Sequence, residues 1–134
     1  MQAPPKKSKT VTITIQSEPK KVYDFVSDPT HLPLWAKTFC RSVKQTDGEW
    51  VIDTPQGPTK IRLADKNDFG VLDHYLEPPA GGVVFVPMRV LPNGGGSEVV
   101  FTVFQLPGAT DESYEKDVRL VEQDLKNLKK YLEG

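Results

Sequence analysis

The first segment of the chain alternates between polar and apolar residues. From residue 10 to residue 16, Val11, Ile13 and Ile15 fall on one face of the backbone, which predicts a half-buried β-strand. The two-residue period returns between residues 41 and 106, where five turn sequences interrupt it. Because the intervals between these turns leave room only for hairpins, we predict an antiparallel meander, with the first strand pairing elsewhere on the same sheet. The six strands of the meander are predicted near residues 41–46, 49–54, 59–65, 69–77, 83–91 and 97–105.

Three other segments have helical spacing. Ser17 offers an N-cap for a short helix, and a second short helix is predicted over residues 31–39. The last segment begins at Thr110, a good N-cap, and its apolar residues recur at spacings of three and four. This pattern indicates one long amphipathic helix that packs on the sheet, and a coiled-coil seam is the less favoured alternative. The apolar residues are Tyr114, Val118, Val121, Leu125, Leu128 and Leu132.

Composition narrows the class of protein. The chain has 134 residues, 37% of them hydrophobic, with 17 Lys and Arg against 18 Asp and Glu, which suits one compact domain. We assign residues 10–134 to that domain and residues 1–9 to a flexible tail, although the lysines of the tail could also contact anionic lipid. The near-neutral charge argues against nucleic acid as a partner. We expect a monomer or a weak dimer.

The cysteine count and the apolar runs bear on location. Cys40 is the only cysteine, so an internal disulfide cannot form, and a lone thiol favours the reducing cytoplasm. Near the N-terminus, no apolar stretch has the length of a signal peptide. The longest apolar run, residues 83–86, is far shorter than the ~20 residues that cross a bilayer. The sequence therefore predicts a cytoplasmic protein without a membrane span.

Three stretches of the sequence resemble one superfamily. Residues 17–29, SEPKKVYDFVSDP, come directly after the first strand, and Leu34-Trp35 follows shortly. Residues 94–103 are similar to the final hairpin of that superfamily, and residues 117–132 to its closing helix. The chain thus resembles the START-like or SRPBCC superfamily, especially its polyketide cyclase/dehydrase and lipid transport branch. The resemblance implies an α+β helix-grip fold, in which a curved seven-stranded antiparallel sheet with two short helices and a long C-terminal helix enclose a cavity.

The same resemblance implies an apolar ligand pocket between the sheet and the C-terminal helix, because a curved sheet and one helix cannot fill the space between them. Ordinary core packing is the alternative for each apolar residue. Trp35 and Phe39 are expected at the mouth of the pocket. Phe85, or one of its neighbours Val84 and Val86, is expected to face the helix. The other candidate ligand-binding residues are Met88, Val90, Val99, Phe101, Val103, Tyr114, Val118, Val121 and Leu125.

Two neighbouring predicted strands carry four candidate catalytic residues, Asp73, His74, Tyr75 and Arg89. Asp73 could meet Arg89 either at the floor of the pocket or as a cross-strand pair on the solvent side of the sheet. His74 lies on the opposite strand face from Asp73 and Tyr75. Its imidazole is suited to general base catalysis.

Other chemistry finds little support in the sequence. Cys40 and His31 lie near Asp28, but no nucleophile motif surrounds them. With two histidines and one cysteine, the chain has no metal-ligand spacing. The glycine triplet at residues 94–96 suits a hairpin turn better than a phosphate loop, since no helix follows it. We predict no metal and no cofactor.

Three functions remain open from the sequence. The favoured one is binding of a small hydrophobic molecule, lipid-like or aromatic, for transport or sequestration. The second is a polyketide cyclase or dehydratase that uses His74, Tyr75, Asp73 or Arg89. The third is a protein-interaction module of the chaperone-regulator type. Acid and base groups are scarce in the apolar strands, so an enzyme is less expected than a binding protein.

Overall fold

The structure, a computed structural model, describes residues 3–134. Met1 and Gln2, the start of the predicted tail, lie outside the described residues. The first strand begins at Ser8, so the last two residues of the predicted tail belong to a strand. The strands are β1 (Ser8–Ile15), β2 (Ser42–Thr46), β3 (Glu49–Thr54), β4 (Gly57–Leu63), β5 (His74–Glu77), β6 (Val84–Val86), β7 (Met88–Asn93) and β8 (Gly96–Phe104). The helices are α1 (Pro19–Val26), a 3-10 turn (Pro29–His31), α2 (Leu32–Trp35) and α3 (Asp111–Glu133).

The strands form two antiparallel sheets, so the prediction of a single seven-stranded sheet is wrong. Strands β1, β8 and β7 lie in one sheet in that order, and β2 to β6 form the other as a sequential meander. The predicted meander is thus confirmed for β2 to β6. Strand β1 pairs with β8 along its whole length, from Ser8 opposite Phe104 to Ile15 opposite Ser97.

Pro87 separates β6 from β7 and thereby splits the strand predicted over residues 83–91. Proline has no N–H to donate, so a central ladder cannot continue through it. The two sheets still meet at this point, because Leu72 N donates a 2.8 Å hydrogen bond to Met88 O. The strand predicted over residues 69–77 therefore contacts both sheets: its first half lies beside β7, and its second half forms β5.

Gly70 makes this junction possible. Its φ angle is +71°, in the region that residues with a Cβ rarely adopt. A Cβ at this position would lie 2.2 Å from the carbonyl oxygen of Val90. The close approach of the two backbones therefore requires glycine.

The helical arm between β1 and β2 differs from the prediction at both ends. Glu18, not Ser17, is the N-cap of α1, and it makes no side-chain capping bond. Ser17 is buried instead, and its carbonyl accepts a 2.6 Å hydrogen bond from Ser97 Oγ. Helix α2 ends at Trp35, so Phe39 lies in the following turn rather than on a helix.

Helix α3 packs along β1 and against α2. Thr110 caps its start as predicted, since the hydroxyl accepts a 3.0 Å hydrogen bond from Ser113 N. Near the other end, Lys129 Nζ donates to Thr14 O of β1 at 2.8 Å. No helix within residues 3–134 combines bilayer-spanning length with high hydropathy. The most deeply buried side chains form the core: Ile15, Val22, Ile52, Leu72, Met88, Val99, Leu125 and Leu128.

Candidate functional site

A cavity of about 520 Å³ lies between the sheets and helix α3 and opens to the surface. Strands β3 to β8 form one side of it, α2 and the following turn another, and α3 a third. Most of the side chains in these walls are aliphatic or aromatic. The exposed residues Leu106 and Leu120 also belong to the lining, so the apolar surface continues to the opening.

Seven of the twelve predicted pocket residues line this cavity, and Phe85, one of them, is described below. The other six are Trp35, Phe39, Met88, Phe101, Val103 and Val121. They come from α2, the following turn, β7, β8 and α3, so the fold brings together residues that lie far apart in the sequence. Trp35 is buried, and its indole Nε1 has no hydrogen-bond partner among the described residues. The nitrogen is covered by surrounding atoms and does not open into the cavity.

Five other predicted pocket residues do not line the cavity. Val90, Val99 and Leu125 are at most 3% exposed and belong to the filled core. Tyr114 is buried near the start of α3, where its hydroxyl donates to Val103 O at 3.4 Å, and Val118 packs against the core. For these residues the structure favours the alternative of ordinary core packing, because an inward orientation is shared by core and cavity and only side-chain packing separates the two.

Phe85 lies at the cavity wall, but its ring belongs to the outer face of the sheet. The ring stacks on Tyr75, with centroids 5.1 Å apart, and the residue is 41% exposed. Val84 and Val86, the neighbours considered as alternatives, are the better buried residues of β6 and line the cavity. Strand alternation thus places the two valines, not the phenylalanine ring, toward α3.

Asp73 and Arg89 form an ion pair on the solvent side. Arg89 donates to Asp73 through Nε at 3.1 Å and Nη2 at 2.9 Å, and the arginine side chain is 47% exposed. Asp73 Oδ1 also accepts a 2.9 Å hydrogen bond from Met88 N, the first amide after the break at Pro87. Asp73, Arg89 and Tyr75 do not line the cavity, so the four candidate catalytic residues do not converge there.

His74 alone among those four lines the cavity. Burial lowers the pKa of its imidazole, although the backbone hydrogen bond and the nearby Asp73 carboxylate oppose the shift. The ring Nδ1 lies 3.0 Å from Leu72 O. A carbonyl can only accept, so in the neutral ring the proton is on Nδ1 and Nε2 is a free acceptor.

Asp124 is a polar cavity residue that the sequence prediction missed. Its carboxylate is buried and accepts from Thr38 N at 3.0 Å and from Thr38 Oγ1 at 2.6 Å. Asn127 Nδ2 lies 3.5 Å from the same group. Burial raises the pKa of Asp124, and these hydrogen bonds act in the opposite direction. The contacts fix the turn after α2 to the middle of α3.

Asp117 is a second missed residue of the lining. It is exposed, but partial desolvation raises the pKa of its carboxyl, with Lys116 opposing the shift. The sequence held a signal for both acids: Asp117, Val121 and Asp124 lie four and three residues apart and thus share one helix face. Asp117 and Asp124 thus place two carboxyl groups beside the apolar residues of α3 where the helix borders the cavity.

Cys40 and His31 do not line the cavity and make contacts outside it. The Cys40 thiol donates to Ser42 O at 3.3 Å, and burial raises its pKa to about 11. His31 stacks on Phe25 and its Nδ1 lies 2.7 Å from Phe25 O. Among the described residues, no group of three His, Cys, Asp or Glu side chains is placed to hold a metal ion.

The sequence matches a family model described as polyketide cyclase / dehydrase and lipid transport over residues 7–133. No protein with curated functional information matches significantly. Several solved structures share the fold at low sequence identity. An uncharacterized protein from Bacillus thuringiensis is 19% identical with a TM-score of 0.77, over 96% of this chain and 100% of that one.

Two further solved structures illustrate the range of proteins that share this fold. A START superfamily protein from Mycobacterium smegmatis is 12% identical with a TM-score of 0.67, over 94% of this chain and 97% of that one. DynU16, a protein of the dynemicin biosynthetic locus, is 16% identical with a TM-score of 0.73, over 96% of this chain and 48% of that one. At these identities the likeness concerns the fold alone.

Proposed function

Because the chain belongs to the polyketide cyclase/dehydrase and lipid transport family, we propose that it binds one small hydrophobic molecule, lipid-like or aromatic, in its cavity and carries or sequesters it. The observation that supports this most is the cavity of about 520 Å³ with mainly apolar walls. Ligand sites of small molecules have volumes of roughly 300 to 1,000 Å³ and walls of this character.

The energetics of such binding follow from apolar burial. A ligand that buries roughly 300 Å² of apolar surface gains about 7.5 kcal/mol at ~25 cal/mol per Å², before the entropic cost of association. Trp35, Phe39, Met88, Phe101, Val103 and Val121 are the proposed ligand contacts. The walls of the cavity carry few polar groups. The ligand is therefore held chiefly by its shape and hydrophobicity.

A second candidate, a cyclase or dehydratase, is favoured by one observation. His74 lines the cavity, and its neutral imidazole has a free Nε2 acceptor that could take a proton. Asp73, Tyr75 and Arg89, the other proposed acid–base residues, face away from the cavity. A binding protein is therefore the preferred proposal, and recovery of bound molecules in unaltered form would distinguish it from an enzyme.

Three further expectations, on location, nucleic-acid binding and oligomeric state, are also proposals. We infer a cytoplasmic location from the free and buried thiol of Cys40, which suits a reducing compartment. The absence of nucleic acid as a partner rests on the charge balance of the sequence. A monomer or weak dimer is likewise a prediction, to be checked by analytical ultracentrifugation.

A pair of adjacent valines offers the test of binding. Val84 lines the cavity, whereas Val83 is 62% exposed and does not line it. We expect Val84→Trp to fill part of the cavity and to weaken binding of an environment-sensitive naphthalene sulfonate dye by at least about tenfold. Val83→Trp adds the same ring outside the cavity and should bind the dye as the wild type does.

Dye fluorescence titrations of the three proteins measure this difference, with circular dichroism as a check on folding. Equal affinity of Val84→Trp and Val83→Trp would show that the dye binds elsewhere. No binding of the dye or of other hydrophobic probes by the wild type would contradict the proposed function. In that case a stoichiometric protein partner in a pull-down would support the interaction-module alternative.

A further inference from the structure

The charged side chains around the cavity all have the same sign. Asp117 and Asp124 line it, and within residues 3–134 no Lys or Arg side chain does. The chain as a whole carries nearly equal numbers of both signs, so this distribution is a local property of the site. A ligand that enters the cavity meets acidic groups in the lining, while Lys116, the basic neighbour of Asp117, lies outside the lining.

The carboxylate of Asp124 is held in a fixed position. Two hydrogen bonds from Thr38 and a longer one from Asn127 fix its orientation at the wall, and they oppose the rise in its pKa that burial causes. A carboxylate has about four acceptor sites, so these three donors leave room for a donor from a ligand. Asp124 is therefore a structural contact whose Oδ2 accepts one hydrogen bond and retains a second acceptor site.

The uncharged polar groups of the wall also favour a ligand that donates hydrogen bonds. His74 uses its Nδ1 proton on Leu72 O, so its Nε2 presents a lone pair. The hydroxyls of Thr54 and Thr59 both lie within donating distance of Gly57 O. The Gln56 side chain carries both a donor and an acceptor, so it does not discriminate between ligands that donate and ligands that accept a hydrogen bond. Trp35 Nε1, a possible donor, is covered by surrounding atoms. The groups named here therefore offer a ligand mainly hydrogen-bond acceptors.

We propose that the cavity selects an apolar molecule whose polar end is a hydrogen-bond donor, either a hydroxyl or a protonated amine, and that it rejects molecules ending in a carboxylate. This inference deepens the proposed function and rests on it. A protonated amine would donate to Asp124 or Asp117, and a hydroxyl to either acid or to His74.

The physical reason for rejection is the cost of an unpaired anion. A carboxylate placed in this cavity loses its hydration and gains no cation from the lining in return, and the amide of Gln56 is the one donor named above that it could meet. Repulsion from Asp124 adds to this loss. A hydroxyl or amine of the same chain length loses hydration as well but recovers a charge-assisted hydrogen bond.

Three probes that differ only in their polar end test the inference: dodecanol, dodecylamine and dodecanoate, used below their aggregation concentrations at neutral pH. Displacement of the fluorescent dye from the wild-type protein gives their dissociation constants. We expect the alcohol and the amine to bind at least about tenfold more tightly than the carboxylate, the effect of one charge-assisted hydrogen bond.

Matched variants test which carboxylates cause the preference for the amine over the carboxylate. Asp117→Asn and Asp124→Asn should each weaken the amine and strengthen the carboxylate, by about threefold to tenfold. Glu122→Gln removes the same charge from an exposed position of α3 outside the cavity lining and should change neither. Within residues 3–134 the Asp117 carboxylate accepts no hydrogen bond, so Asp117→Asn keeps the test valid if Asp124→Asn is unstable.

The outcomes separate the two proposals. If dodecanoate binds as tightly as dodecanol, the inference is overturned and the proposed function stands. Equal responses of Asp117→Asn and Glu122→Gln would show that long-range charge, not the cavity wall, sets the preference, and would also overturn it. If the dye binds the wild type and none of the three probes displaces it, the claim about polar ends fails. If nothing binds, the proposed function fails with it.

Discussion

At the scale of single residues, Asp73 shows how one side chain can serve the fold rather than the site. Its carboxylate accepts from Met88 N directly after the proline break and pairs with Arg89 on the outer face. Asp73→Ala leaves the amide without an acceptor and should lower the free energy of unfolding by about 1 to 3 kcal/mol. Arg89→Ala removes only a half-exposed partner and should cost about 0.2 to 1 kcal/mol. Urea unfolding measures both, and equal costs would contradict this account.

The same pair predicts a dependence on pH. The hydrogen bond from Arg89, followed by that from Met88 N, lowers the pKa of Asp73 below its ordinary 3.8, against the effect of desolvation. Since the folded-state pKa is the lower one, the stabilisation is present above pH 3.8 and is lost as the pH falls through the folded-state value. The stability difference between the wild type and Asp73→Ala should shrink on acidification, and a growing difference would refute the assignment.

Cys40 should be an unreactive thiol. Burial raises its pKa to about 11, and only the thiolate attacks a disulfide reagent. We expect the native protein at mildly alkaline pH to react with an aromatic disulfide roughly 100-fold more slowly than the urea-unfolded chain. Absorbance of the released thiol follows the rate. Native reaction as fast as that of the unfolded chain would show that Cys40 is accessible and ionised.

At the scale of the elements, α3 has the start that its sequence predicts. Thr110 Oγ1 accepts from Ser113 N at 3.0 Å, and Asp111 and Glu112 occupy the first turn. We expect Thr110→Ala to lower the free energy of unfolding by about 1 kcal/mol, whereas Thr110→Ser should retain the cap. Thermal unfolding distinguishes the two variants. A loss of similar size in both would indicate that the methyl group, not the hydroxyl, matters.

The elements also show where sequence reasoning succeeded and where it failed. Hydrophobic period and turn residues located β1, the β2 to β6 meander and α3, because these are local properties of the chain. The split at Pro87 was missed although a proline inside a predicted central strand argues against continuity. The choice between Phe85 and its valine neighbours stayed open because both faces of β6 carry large apolar side chains, and only strand register decides between them.

At the scale of the whole molecule, the cavity exists because the two sheets and α3 enclose more volume than their side chains fill. Sequence pattern identified inward-facing residues, but it could not separate core from lining. Leu125 fills the core and Val121 borders the cavity, one helical turn apart on the same helix. Asp124 was overlooked since its importance depends on Thr38, which lies far away in the sequence.

The central claim is that this cavity holds one hydrophobic molecule. Native mass spectrometry after incubation with a mixed panel of lipids and aromatic compounds tests it most directly. The account predicts a single added mass per wild-type chain, retained by Val83→Trp and lost by Val84→Trp. Wild-type protein that shows only the bare chain mass with every compound of the panel would contradict it.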